Sequence, residues 1–185
     1  IIWCGRLECG EVKAQEARML EKRFLRGVLE NLQTLKEIPD PLQNRILEVE
    51  FDSDRLLEGD HRSRIRQMMA DAGVFDKELY AKMPYEAYLR YEAVQRGFLS
   101  VVGRVVVHAA CVCAVEDFVS GKGETDAPVS RVKVEDTFLR AVTTAEVFHY
   151  VAFFSPTGFE EEAKEAPPLR EAAELVLVEK DEGTR

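Results

Sequence analysis

Glutamate and histidine stand three residues apart twice in this chain, as Glu58 with His61 and as Glu146 with His149. On a helix that spacing puts both side chains on one face, which two ligands of one metal ion require. Helical di-iron carboxylate proteins use two such pairs, with one further Glu from each of two other helices. Gly59 and Asp60 interrupt the first pair, because they read as a helix end followed by a new cap. Glu146 and His149 remain as the metal candidates, for iron or zinc, with Glu16 or Glu21 and Glu86 or Glu92 as nominal further ligands. The competing reading of this pair is a polar couple at the rim of a helix packing surface. The sequence requires no cofactor otherwise.

The four cysteines allow a second metal chemistry. Cys4 and Cys9 with Cys111 and Cys113 supply four thiolates, yet neither spacing is the Cys-x2-Cys of a zinc knuckle. On a helix Cys111 and Cys113 diverge; only a strand brings them to one face. Small buried residues among Val and Ala are the better reading. Arg104 and His108 inside an apolar run suit either a proton relay or anion site, or a satisfied polar line between packed elements. His61, Arg62, Arg64 and Arg66 form a basic cluster, read first as an exposed helix face. No phosphate loop, nucleophile elbow or Ser/His/Asp set can be assembled, so no catalytic residue is assigned.

These residues need elements to hold them, and the spacing favours helices. Glu92, Arg96, Ser100, Arg104 and His108 recur every fourth residue between Phe98, Leu99, Val101, Val102 and Val105 to Val107. Read on a 3.6 period they make one polar stripe on an otherwise buried helix over 84–120. Further helices are expected at 11–37, from the Asp40 cap to Gly59, at 61–72, 76–83, 136–154 and 169–180. Gly103 and the Val-rich piece 101–115 argue instead for a buried strand, the minority reading. The expected fold is all-α, an irregular bundle of about six to seven helices around the long central one. Residues 1–120 would form the bundle, 121–135 a linker and 136–185 C-terminal helices with an acidic tail on the same core.

Composition narrows the function. The chain has 185 residues, 46% hydrophobic and 32% charged, with 25 Lys and Arg against 34 Asp and Glu, a net charge of −9. Nucleic acid and anionic membranes are therefore poor main partners. Residues 156–185 hold 9 of the acidic and 4 of the basic side chains. Cysteine usage favours a reducing compartment. Phe98 to Val115 approaches the length of a membrane span, but Arg104 and His108 oppose autonomous insertion, leaving association at a membrane edge.

Tyr85, Tyr88 and Tyr91 recur at three-residue steps and offer a face for protein partners, as Arg104 and His108 do. Residues 134–154, around Thr-Ala-Glu-Val-Phe-His-Tyr, resemble the single helix of the small g subunit of mitochondrial ATP synthase over 21 of the 185 residues. The helix-packing glycines of that subunit are missing, and Arg140, Glu146 and His149 interrupt the apolar run. The resemblance implies an accessory subunit of an organellar membrane complex, with mitochondria favoured over secretion. The sequence reading is thus a non-catalytic structural or interaction subunit bound to other protein subunits. Its alternative is a helical bundle that binds a metal or small ligand.

Overall fold

The computed structural model describes residues 11–165 and 171–180, and over them the chain is a mixed α/β protein. The all-α bundle is corrected by nine strands and six α-helices among the described residues. In chain order these are β1 (Val12–Lys13), α1 (Ala14–Thr34), β2 (Glu37–Asp40), β3 (Arg45–Glu48), β4 (Leu56–Gly59), α2 (Arg62–Asp71), α3 (Lys77–Lys82), β5 (Tyr88–Arg96), β6 (Val101–Cys111), α4 (Val115–Ser120), β7 (Glu124–Thr125), α5 (Arg131–Ala141), β8 (Phe148–Ser155), α6 (Glu161–Lys164) and β9 (Ala173–Glu179).

Five strands form the central sheet in the order β4-β5-β6-β8-β9. β4, β5 and β6 are antiparallel neighbours, whereas β6, β8 and β9 run parallel. Parallel neighbours need crossovers, and the chain supplies one through α5 and one through α6. One face of the sheet carries Leu89, Tyr91, Ala93, Val105, Ala109 and Phe148, packed against Leu32 of α1 and against Ile38 and Leu47 of the β2–β3 hairpin. The other carries Val151, Phe153 and Ala173, packed against Val134 and Phe138 of α5 and Val142 just after it.

The central helix expected over 84–120 is two strands joined by a turn. A spacing of four residues is a multiple of two, so a polar stripe at every fourth position fits one face of a strand as well as it fits a helix. Between those readings the β-branched run Val101, Val102, Val105, Val106 and Val107 decides, since such side chains lose rotamer freedom in a helix and pack well on a pleated surface. Gly97 closes the turn, its N–H donating to the Ser100 carbonyl at 2.7 Å.

The expected helix over 136–154 is likewise a helix, a loop and a strand. Ser130, not Asp136, is the cap, its side chain accepting from the Lys133 N–H, and the aromatic and branched stretch after Val147 is β8. The similarity to the g-subunit helix therefore does not extend to structure. Residues 40–59 form a hairpin and β4 rather than one helix, and 173–179 form β9 where the last helix was expected. Three helices stand close to where their signals put them: α1, α2 and α3, the last with Asp76 accepting from the Leu79 N–H. No helix among the described residues is long and apolar enough to cross a membrane.

Gly103 owes its place to packing. A Cβ there would meet Leu47 Cδ2 at 2.5 Å and an Arg45 guanidinium nitrogen at 2.9 Å, where the β2–β3 hairpin lies on β6. Leu47 is fully buried. Gly103→Ala is expected to cost about 1–3 kcal/mol by overpacking, read as a lower urea midpoint at unchanged m-value. Wild-type stability in that variant would contradict the close approach.

Candidate ligand cleft

A cavity of about 570 Å³ opens where α2 and α5 meet the β4–β5–β6 end of the sheet. Its organising residue is Glu86, just before β5, which is 4% exposed and holds a left-handed backbone (φ 51°) that non-glycine residues rarely adopt. Local strain of this kind persists only where the surroundings over-determine it. Here the Glu86 carboxylate receives Lys133 Nζ at 2.5 Å, the Cys113 N–H at 3.1 Å and the Arg64 guanidinium. Lys133 also donates to the Cys113 carbonyl. One carboxylate thus ties α2 and α5 to the end of β6.

Two cations on one carboxylate leave a positive charge in excess, and both line the cavity. Arg140 lines it as well, and so does Arg90, whose charge is met by Glu92 at 3.0 Å; the facing carboxylates are Glu86, Glu116 and Asp136. The first turn of α5 adds Ser130 to the lining, and a helix N-terminus favours negative charge. Leu57, Leu89, Val112, Val132 and Phe153 give the rest of the wall an apolar character.

Histidines lie at two levels of this cleft. His61 lines it near Tyr88, their ring centroids 5.2 Å apart, and burial lowers its pKa. His108 Nε2 lies 3.1 Å from His149 Nδ1, and His149 Nε2 lies 3.0 Å from the Thr144 carbonyl. A carbonyl only accepts, so His149 Nε2 carries a proton. In the neutral pair His149 Nδ1 then accepts from His108 Nε2–H. Burial, then the neighbouring His149 and Arg90, push His108 down to about 4, so it is neutral at pH 7.

Behind Glu86 lies a second buried carboxylate. Glu21 of α1 accepts from the Tyr85 N–H at 3.4 Å, and its other oxygen has no hydrogen-bond partner. Burial raises its pKa to about 7 against the pull of backbone N–H groups at 85–87, with Glu86 adding to the rise. Burial also pushes the Cys111 and Cys113 thiols well up, which removes them as nucleophiles.

The residues singled out from sequence are scattered by this fold. His149 is buried on β8, whereas Glu146 is exposed in the loop before it, its N–H bonded to Thr144 Oγ1. No group of three or more His, Cys, Asp or Glu side chains among the described residues could hold a metal ion, and Cys4 and Cys9 lie outside those residues. Tyr91 is 1% exposed in the core, its hydroxyl accepting from the Asp52 N–H. Tyr88 lines the cleft, and Tyr85 is half-buried under the guanidinium groups of Arg18 and Arg62. Arg104 is exposed 3.9 Å from Glu92, and His108 faces the cleft.

Lys133 escaped sequence reasoning because the expected helix began at 136 rather than 131, and Arg140 was noted only as an interruption of an apolar run. Arg64 was visible only as part of a basic cluster. Compared with known protein families, with characterised proteins and with solved structures, the chain shows no match.

Proposed function

We propose that this chain is a ligand-binding domain whose cleft takes a small amphipathic organic anion. The observation that carries the reading is the strained Glu86, which converges Arg64 and Lys133 on one cavity. A phosphate or carboxylate head would sit against Lys133, Arg64 and the rim Arg140, where charge-assisted hydrogen bonds are strongest. An apolar body would lie along Leu57, Val132 and Ala141. The volume falls in the ordinary range for small-molecule sites, about 300–1,000 Å³.

Phenyl phosphate supplies both halves of such a ligand, and benzyl alcohol supplies the apolar half alone. Calorimetric titration should give saturable binding of the first and not of the second. Arg140→Gln, an exposed change that leaves Glu86 and its partners intact, should weaken binding about tenfold, the worth of one charge-assisted contact. Equal binding of both probes, or an unaffected variant, would overturn the assignment.

A second reading, that the chain works by contact with another molecular surface, is supported by a different observation. The turn joining β5 and β6 exposes Phe98 at 99% and Leu99 at 91%.

A further inference from the structure

We propose that His108 sets the specificity of the cleft, selecting an anion whose body carries an O–H or N–H donor at the end away from the charged head. This rests on the anion-binding reading of the cavity and names the chemistry of its ligand more closely.

The tautomers on the cavity floor are fixed from the protein side. The Thr144 carbonyl, 3.0 Å from His149 Nε2, only accepts, so that nitrogen carries a proton. His149 Nδ1 is then a lone pair, and His108 Nε2, 3.1 Å away, donates to it. The remaining nitrogen, His108 Nδ1, therefore holds a lone pair. His108 lines the cavity although the residue is only 7% exposed. Its hydrogen bond among the described residues is the one from Nε2 to His149. The sealed side-chain nitrogens and oxygens without a partner among the described residues belong to Arg18, Glu21 and Arg55. His108 Nδ1 is not one of these, so it opens to the cavity.

Its surroundings keep that nitrogen an acceptor. One row across β4, β5 and β6 runs Leu57, Arg90, His108. Arg90 faces His108 from β5, but its guanidinium is engaged by Glu92 at 3.0 Å. Burial, then His149 and Arg90, disfavour the imidazolium, so His108 is neutral at pH 7. A neutral lone pair repels a phosphate or carboxylate oxygen, which has no proton to give. A methyl group laid over it leaves a desolvated acceptor unpaired. Only a donor satisfies it.

Position agrees with this chemistry. The Cys111 N–H bonds the Ala87 carbonyl, so Glu86 and its cations stand at that end of β6. His108 lies three residues back along the strand, roughly 10 Å at ~3.3 Å per residue. A head held by Lys133 and Arg64 thus places the body over the Tyr88–Ala110 pair, with its far end beside Leu57 and His108.

The 4-hydroxy, 4-methoxy and 4-methyl derivatives of phenyl phosphate test this by calorimetry on the full chain at pH 7, with phenyl phosphate as reference. Only the first brings a donor, and it should bind about tenfold more tightly than the 4-methyl compound, the worth of one net hydrogen bond. The 4-methoxy compound should bind no better than the 4-methyl one. His108→Phe deletes Nδ1 and should bring the 4-hydroxy and 4-methyl compounds to equal affinity. The wild-type chain supplies a reading that needs no variant. Its ring ¹⁵N spectrum should show His108 protonated at Nε2 and bare at Nδ1, with the Nδ1 resonance moved by the 4-hydroxy compound and not by the 4-methyl one. A proton on His108 Nδ1 would overturn the proposal. If all four compounds bind alike, the donor preference falls and the anion cleft stands. If none binds, the cleft reading falls and takes the proposal with it. A hydroxyl preference that survives in folded His108→Phe assigns the donor to another group of the wall, such as Asp136 or His61, and equally overturns the role of His108.

Discussion

Glu86→Ala is expected to lower the stability of the fold by about 3 kcal/mol, the low end for breaking a buried ion pair because Arg64 and Lys133 partly reach solvent. In a chain of this size that corresponds to a melting temperature lower by roughly 6–12 °C. The loss has three sources: the Cys113 N–H is left without its acceptor, Lys133 loses its counter-charge, and α2 is no longer tied to α5. Glu86→Gly separates charge from strain. It removes the same carboxylate but tolerates φ 51°, so it should lose about 1 kcal/mol less than the alanine variant. Identical losses in both would show that the left-handed backbone at Glu86 carries no strain. Neither variant melting below wild type would refute its role as a tie.

The second large effect is a pair of opposed pH dependences. Glu21 has its pKa raised from 4.5 to about 7, so between those values the folded chain keeps a proton that the unfolded chain has released. Its contribution to stability is therefore lost as pH rises through that window. His108 is depressed from 6.5 to about 4, so between those values the unfolded chain holds a proton that the folded chain lacks. Its contribution is lost as pH falls. From about pH 4.5 to 6.5 the two proton differences cancel, and these groups together leave stability flat.

Single variants should uncover the hidden slopes. Glu21→Gln leaves His108 unopposed, so stability should rise with pH by about 1.4 kcal/mol per unit across roughly pH 5–6. By about pH 8 the variant should exceed wild type by up to about 3 kcal/mol, because the burial penalty of the carboxylate is gone. His108→Asn leaves Glu21 unopposed and should slope the other way. Urea midpoints at about pH 5, 5.5 and 6 read both, and parallel curves for the three proteins would contradict the assignment.

How far the fold was legible in the sequence depended on which period a segment could hold. α1 pairs Ala17 with Leu20, Leu25 with Val28 and Leu32 with its C-cap Leu35 across three-residue steps, which would fall on opposite faces of a strand, so it was readable. Asp76 and Gly73 marked the borders of α3 and α2 for local reasons, a side-chain cap and a left-handed glycine (φ 68°). Residues 92–108 failed because four is common to both periods, and the turn that separates β5 from β6 is announced only by Gly97. Gly103, noted as a poor helix former, was in fact marking a strand against which a hairpin packs.

The cleft was less legible still. Glu86, Arg64 and Lys133 lie far apart in the chain and belong to three separate segments, and no spacing rule links them. What brings them together is the crossover that returns α5 over the sheet, a tertiary fact. Burial of Glu21 had a weak signal, since it continues the face of Ala14 and Ala17 at three- and four-residue steps, but small alanines do not announce a buried face. His149 was noticed for its spacing to Glu146, whereas its ring stacks on His108 across the β6–β8 pair.

The central claim is that Glu86 assembles an anion-binding cleft, and chemical-shift mapping with ¹⁵N-labelled protein tests it most directly. On titration with phenyl phosphate, the account expects saturable shifts concentrated at the backbone amides of Arg64, Ser130, Lys133 and Arg140, strongly reduced in Glu86→Gly at a temperature where that variant is folded. Shifts scattered over the surface without saturation, or the same shifts in Glu86→Gly, would contradict it.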